Sequence, residues 1–152
     1  MSEAAAIEIR ALRAEDEAEW RALWRGYLEF YESAVSEEVY AETWRRLRSG
    51  GAHEYAGLIA LGADGAAQGI AHYLFHRHCW KIENVCYLQD LFVAPSARGA
   101  GVGGALIGAV YEQADAAGAG DVYWTTQHFN TRARALYDQV GRLTPFIKYS
   151  RR

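Results

Sequence analysis

Arg98 is followed by glycines at alternate positions, Gly99, Gly101 and Gly103, between an apolar run that ends at Val93 and a helix-spaced run that begins at Val102. Without Cβ atoms, the backbone through Gly99, Ala100 and Gly101 can turn several N–H groups toward one point. The helix dipole adds partial positive charge there, and Arg98 adds a full charge able to fork onto a phosphate. The stretch 98–103 therefore predicts a pyrophosphate site at a strand-to-helix junction. The same glycines read as G-x-G-x-x-G through Gly99, Gly101 and Gly104, the dinucleotide fingerprint. That reading wants an acidic residue at the end of the next strand and several more βα units. The next strand instead ends Trp124-Thr125-Thr126, with Asp121 at its start, and about fifty residues remain. A Walker loop is excluded because no Gly-Lys-Ser/Thr follows the glycines. A tight turn without a ligand leaves Arg98 and the strand before it unexplained.

Around this junction the hydrophobic period alternates between strand and helix. Residues 6–12 alternate apolar and polar as a half-buried strand does. In 16–32, Trp20, Leu23, Trp24, Tyr27, Leu28 and Tyr31 recur at helical spacing. A second helix is expected over 37–48, closed by Gly50-Gly51. Strands follow over 55–61, 69–77 and 85–93, the first two joined as a hairpin at residues 62–65. The remainder reads as a helix over 102–117, a strand over 121–126, a helix over 130–140 and a short strand over 146–149. The expected order is β-α-α-β-β-β-α-β-α-β: an α/β chain with a mixed sheet, antiparallel strands first and a parallel crossover later.

Nothing breaks the 152 residues into separate units: there is no repeat, low-complexity segment or linker, and the length fits one domain over 1–152. A formal charge of -3 argues against a broad nucleic-acid surface and fits a cationic or neutral substrate. No apolar run approaches the ~20 residues of a membrane span. Cys79 and Cys86 are expected to be reduced and structural, and no charged and apolar leader opens the chain, so a cytoplasmic location is expected.

The segment 87–103, Tyr-Leu-Gln-Asp-Leu-Phe-Val-Ala-Pro-Ser-Ala-Arg-Gly-Ala-Gly-Val-Gly, resembles the strand-loop-helix motif of the GNAT acetyltransferase superfamily. Its Arg/Gln-x-x-Gly-x-Gly/Ala core is met by Arg98, Gly101 and Gly103. A second family feature, Asn followed by a helix bearing Ala-Leu-Tyr, is met by Asn130, Ala135, Leu136 and Tyr137. The resemblance covers residues 55–149 and, within the superfamily, is to diamine and polyamine acetyltransferases and small fungal histone acetyltransferases. Gln89 stands where the diamine enzymes carry Glu, and Pro145-Phe146 where Gly-Phe is common. The resemblance implies a GNAT fold, acetyl-CoA as co-substrate, a small-molecule amine, polyamine or amino acid as acceptor, direct attack in a ternary complex, and a homodimer. A protein lysine acetyltransferase and a non-catalytic acyl-CoA-binding module are the alternative readings.

Acyl transfer from a thioester to an amine needs a neutral amine, a polarised carbonyl and a protonated leaving thiol. An amine with a pKa near ~10.4 is charged at neutral pH, so a carboxylate should help remove its proton: Asp90 first, Glu83 second. By resemblance, backbone N–H groups near Leu91, Phe92 and Val93 polarise the carbonyl and pair with pantetheine. Residues 98–103, Val102 and Gly103 included, grip the pyrophosphate. Asn130 holds the cofactor or caps its own helix, and Tyr137 protonates the thiol. Tyr27, Glu29 and Tyr31, with Gln89 and Asp90, are the expected acceptor wall, aromatic faces and carboxylates both attracting a cation. His72, His76 and His78 lie at strand spacing, yet no carboxylate or Cys is spaced to complete a metal site, so none is expected.

Overall fold

The computed structural model of the chain describes residues 6–152; the opening residues 1–5, on which part of the leader reading falls, lie outside them. The elements are β1 (Glu8–Ala11), α1 (Glu17–Phe30), α2 (Glu37–Ser49), β2 (Ala56–Leu61), β3 (Ala67–His76), β4 (Val85–Val93), α3 (Val102–Ala116), β5 (Val122–Tyr123) and α4 (Thr131–Val140). They form one sheet in the order β1-β2-β3-β4-β5. The first four strands are antiparallel neighbours, and β4 pairs in parallel with β5 after the crossover through α3. Local chemistry sets the boundaries: the Ser36 hydroxyl accepts from the Val39 amide at 3.4 Å to start α2, and Gly50, left-handed at φ 69°, ends it. No helix among the described residues is long and apolar enough to cross a membrane.

Each face of the sheet carries its own core. Leu58, Ala60, Ala71, Tyr73, Cys86 and Leu88 pack against Leu106, Ile107 and Val110 of α3. On the other face Ile59, Ile70 and Phe92 meet Trp20, Leu23, Trp24 and Leu28 of α1, with Tyr40 and Leu47 of α2. Burying side chains of this size contributes about 1.5–3 kcal/mol each. Helix α1 can lie this close because Gly26 leaves room for the Phe92 ring: a Cβ there would sit 2.8 Å from Phe92 Cζ.

Strict alternation would put Asp90 on the α3 face with Cys86 and Leu88. The β3–β4 register prevents this: His72 pairs with Asp90 but Tyr73 pairs with Leu88, so Gln89 is an extra residue, a β-bulge. Beyond it the parity of β4 is inverted, and Leu91 and Val93 join the α3 face while Phe92 joins the α1 face.

Two expected elements at the C-terminal end differ. The strand over 121–126 is reduced to Val122–Tyr123, and the strand over 146–149 is not formed. Residues 142–152 carry no regular structure, and Leu143, Phe146, Ile147 and Tyr149 are 76–88% exposed. A strand needs a neighbouring ladder, and the β5 edge offers only two residues of one within this chain.

Candidate functional site

Because of the bulge, Asp90 leans toward α1, its side chain 11% exposed, and its Oδ2 lies 3.0 Å from His72 Nδ1. The turns of α1 set Tyr27 and Tyr31 on one face, four residues apart, with ring centroids at 5.0 Å. Burial raises the phenol pKa of both, and the nearby Asp90 charge raises it further. Both therefore stay protonated and able to donate. Tyr27 also stacks on Trp24 at 4.7 Å.

Tyr137 projects from α4 beside Trp124, ring centroids 5.5 Å apart. Its phenol is pushed up to about 12, chiefly by burial and secondarily by Tyr31. Tyr31 thus neighbours both Asp90 and Tyr137, and the three line one cleft. The floor of that cleft is the second half of β4. Pairing between β4 and β5 covers only Cys86 with Val122 and Tyr87 with Tyr123, so the strands part beyond Tyr87. Backbone groups of Gln89 to Val93 on that edge are left without a strand partner, the setting expected for Leu91, Phe92 and Val93.

At the end of β4, Gly99 and Gly101 hold φ of 86° and 83°, and α3 starts at Val102 with neither a side-chain cap nor an acidic residue in its first turn. Its first N–H groups have no intrahelical acceptor, an arrangement suited to an anion. Gly103 serves packing, since a Cβ there would meet Leu136 Cδ2 at 3.1 Å. The Arg98 guanidinium donates through Nε to the Val93 carbonyl at 3.3 Å and lies 5.9 and 5.8 Å from the ring centroids of Phe30 and Phe92. Asn130 caps α4, its Oδ1 accepting from the Ala133 amide at 3.4 Å.

Three of the expected residues lie apart from this cluster. Glu83 sits in the loop before β4, exposed and 3.9 Å from Lys81. Glu29 faces away from Tyr27 and lines a separate groove of about 890 Å³ with Gly26, Phe30, Phe92 and Arg98. Gln89, being the bulged residue, is exposed. The histidines are individually engaged: His76 with Tyr123 Oη at 2.7 Å, and His72 with Trp20 and Asp90. Cys79 is exposed, while Cys86 is buried and its thiol is pushed up to about 11. Sequence reasoning missed His72 and Trp20 as neighbours of Asp90; their spacing of 52 residues hides the contact, and the only signal was a histidine within an apolar strand.

Residues 19–141 match the model of the acetyltransferase (GNAT) family. This chain belongs to that family. Family membership makes the protein an acetyl-CoA-dependent acyltransferase. It is 38% identical over 145 residues to the D-amino-acid N-acetyltransferase HPA3 of Saccharomyces cerevisiae, covering 95% of this chain and 90% of that one. It is 34% identical to the uncharacterized N-acetyltransferase YhfO of Bacillus subtilis, over 94% of this chain and 95% of that one. In fold it is similar to AAC(6')-Iy in complex with a bisubstrate analogue, with a TM-score of 0.83 and 22% identity over 97% of this chain and 98% of that one.

Proposed function

We propose that this protein moves an acetyl group from acetyl-CoA to the primary amine of a small molecule, by direct attack within a ternary complex. One observation carries the reading: Asp90 and Tyr137 line the same cleft across the β4–β5 gap, with Tyr31 next to both. Asp90 attracts the incoming ammonium and takes its proton, directly or through one water. Backbone N–H groups of the bared β4 edge, Leu91 to Val93, hold the carbonyl oxygen as negative charge develops on it. The amides of residues 99–103 grip the diphosphate, and Arg98 is within the same turn of chain.

Nitrogen bonds to the carbonyl carbon, the carbon–sulfur bond breaks, and the sulfur leaves as a thiolate whose parent pKa is about 8.5. A phenol near 12 holds its proton more tightly than that thiolate does, so Tyr137 stabilises the departing sulfur chiefly as a hydrogen-bond donor. Neither cysteine is placed to form an acyl-enzyme: Cys86 is buried with its thiol raised, and Cys79 lies in the β3–β4 loop. Tyr27 and Tyr31 present aromatic walls to the amine.

An amino acid is the first acceptor to try, on the strength of the yeast relative's activity. The working unit is a homodimer in this reading, supported by the exposed apolar segment around Phe146 and Ile147, and light scattering should return twice 17.0 kDa. Mass spectrometry of reactions with acetyl-CoA and a panel of D-amino acids, diamines and aminoglycosides tests the function. An N-acetylated product is expected, and acetyl-CoA left intact against the whole panel contradicts it.

A further inference from the structure

Trp20 is fully buried, and its indole Nε1–H donates to His72 Nε2 at 2.9 Å. An indole nitrogen can only donate, so His72 Nε2 must be the accepting, unprotonated nitrogen. In the neutral ring the proton then sits on Nδ1, which lies 3.0 Å from Asp90 Oδ2. The chain of donors runs one way, from Trp20 through His72 to the carboxylate. His72 is 2% exposed and held between the rings of Trp20 and Trp24 at centroid distances of 6.0 and 5.1 Å, so it has little freedom to turn over. On its β2 side it is opposed by Gly57.

We propose that Trp20 and His72 are positioning residues for the acetyl transfer: Trp20 fixes the Nδ1–H tautomer of His72, and that N–H holds the Asp90 carboxylate in its working orientation. The inference rests on the proposed role of Asp90. With Oδ2 taken by the imidazole, Oδ1 is the oxygen left for Tyr27 and for an incoming amine. The tautomer matters because the alternative ring, protonated on Nε2, would set N–H against N–H at Trp20 and a lone pair against the carboxylate. A merely packing histidine would need neither contact.

Two isosteric replacements separate positioning from packing. Asn reproduces the Nδ1 end of the ring and Gln the Nε2 end. His72→Asn keeps a donor for Asp90 and should hold kcat within about threefold, whereas His72→Gln removes it and should lower kcat about 10–100-fold with the KM for acetyl-CoA unchanged. Equal rates for the two variants overturn the positioning role. Long-range proton–nitrogen NMR on the intact wild-type chain reads the tautomer directly and needs no variant to fold. Nδ1 protonated is the expected result; Nε2 protonated overturns the proposal. Trp20→Phe, if folded, should shift His72 toward the Nε2–H form, and an unshifted ring contradicts the part assigned to Trp20. If no amine is acetylated, the proposed function fails and the positioning role with it, while the NMR result still decides the tautomer.

Discussion

His72 and Asp90 face each other across β3 and β4 with 3.0 Å between Nδ1 and Oδ2, at the pair just beyond the bulged Gln89. One extra residue in a strand thus decides which face of the sheet receives the carboxylate. Without it, Asp90 would project into the apolar core under α3, where an unpaired charge has no place. With it, Asp90 stands among the phenols of α1 at the mouth of the β4–β5 gap.

Asp90→Asn should lower turnover about 100-fold near neutral pH, with the deficit shrinking as pH rises. The sign follows from the substrate: a free amine titrates near ~10.4, so alkali supplies the neutral nucleophile that the carboxylate otherwise generates. A pH–rate profile of the variant against wild type is the check. A deficit that stays constant with pH indicates an ammonium anchor and removes the proton-accepting role.

Tyr137→Phe should lose turnover by about tenfold or more while binding acetyl-CoA as wild type does. There is also a stability signature. The native phenol is raised from 10 to about 12 by burial, so folding favours its neutral form. That contribution is complete below pH 10 and is lost as pH climbs through 12. Urea midpoints measured from pH 9 to 12 should fall less steeply for the variant than for wild type.

Much of this was readable in the residues. The junction at 98–103, the aromatic stripe of α1 and the strand carrying Asp90 follow from glycine spacing and hydrophobic period, and β4 runs over Val85–Val93 as the pattern implies. What the pattern could not supply is non-local. The bulge at Gln89 exists only in the register with β3, and the Trp20–His72 contact joins residues far apart in the chain. Residues 146–149 have a strand's composition and no ladder to join, because β5 pairs over two residues only. Glu29 and Tyr27 share a segment, yet two positions along a helix turn a side chain about 200°.

Gly26→Ala should destabilise the fold by about 1–3 kcal/mol, because its methyl would press on the Phe92 ring in the closest approach between α1 and β4. Chemical denaturation measures this. Stability equal to wild type would mean that α1 can shift away from the strand at no cost.

Arg98→Ala and Gly101→Ala separate side-chain from backbone binding at the α3 N-terminus. Removing the arginine charge should weaken acetyl-CoA binding about 10–100-fold if the guanidinium reaches a phosphate. At Gly101, φ 83° is strained for any side chain although the space around it is open, so alanine there should cost about 1–2 kcal/mol of stability and weaken binding as well. Isothermal titration calorimetry with acetyl-CoA reads both, and an unchanged affinity for Arg98→Ala leaves the grip to the backbone alone.

The most direct measurement is the release of free thiol from acetyl-CoA as a function of D-amino acid concentration. The cleft formed by Asp90, Tyr31 and Tyr137 predicts release that needs the amine and saturates with it. Thiol release that is independent of the amine, or absent while acetyl-CoA binds, would contradict transfer to nitrogen in this cleft.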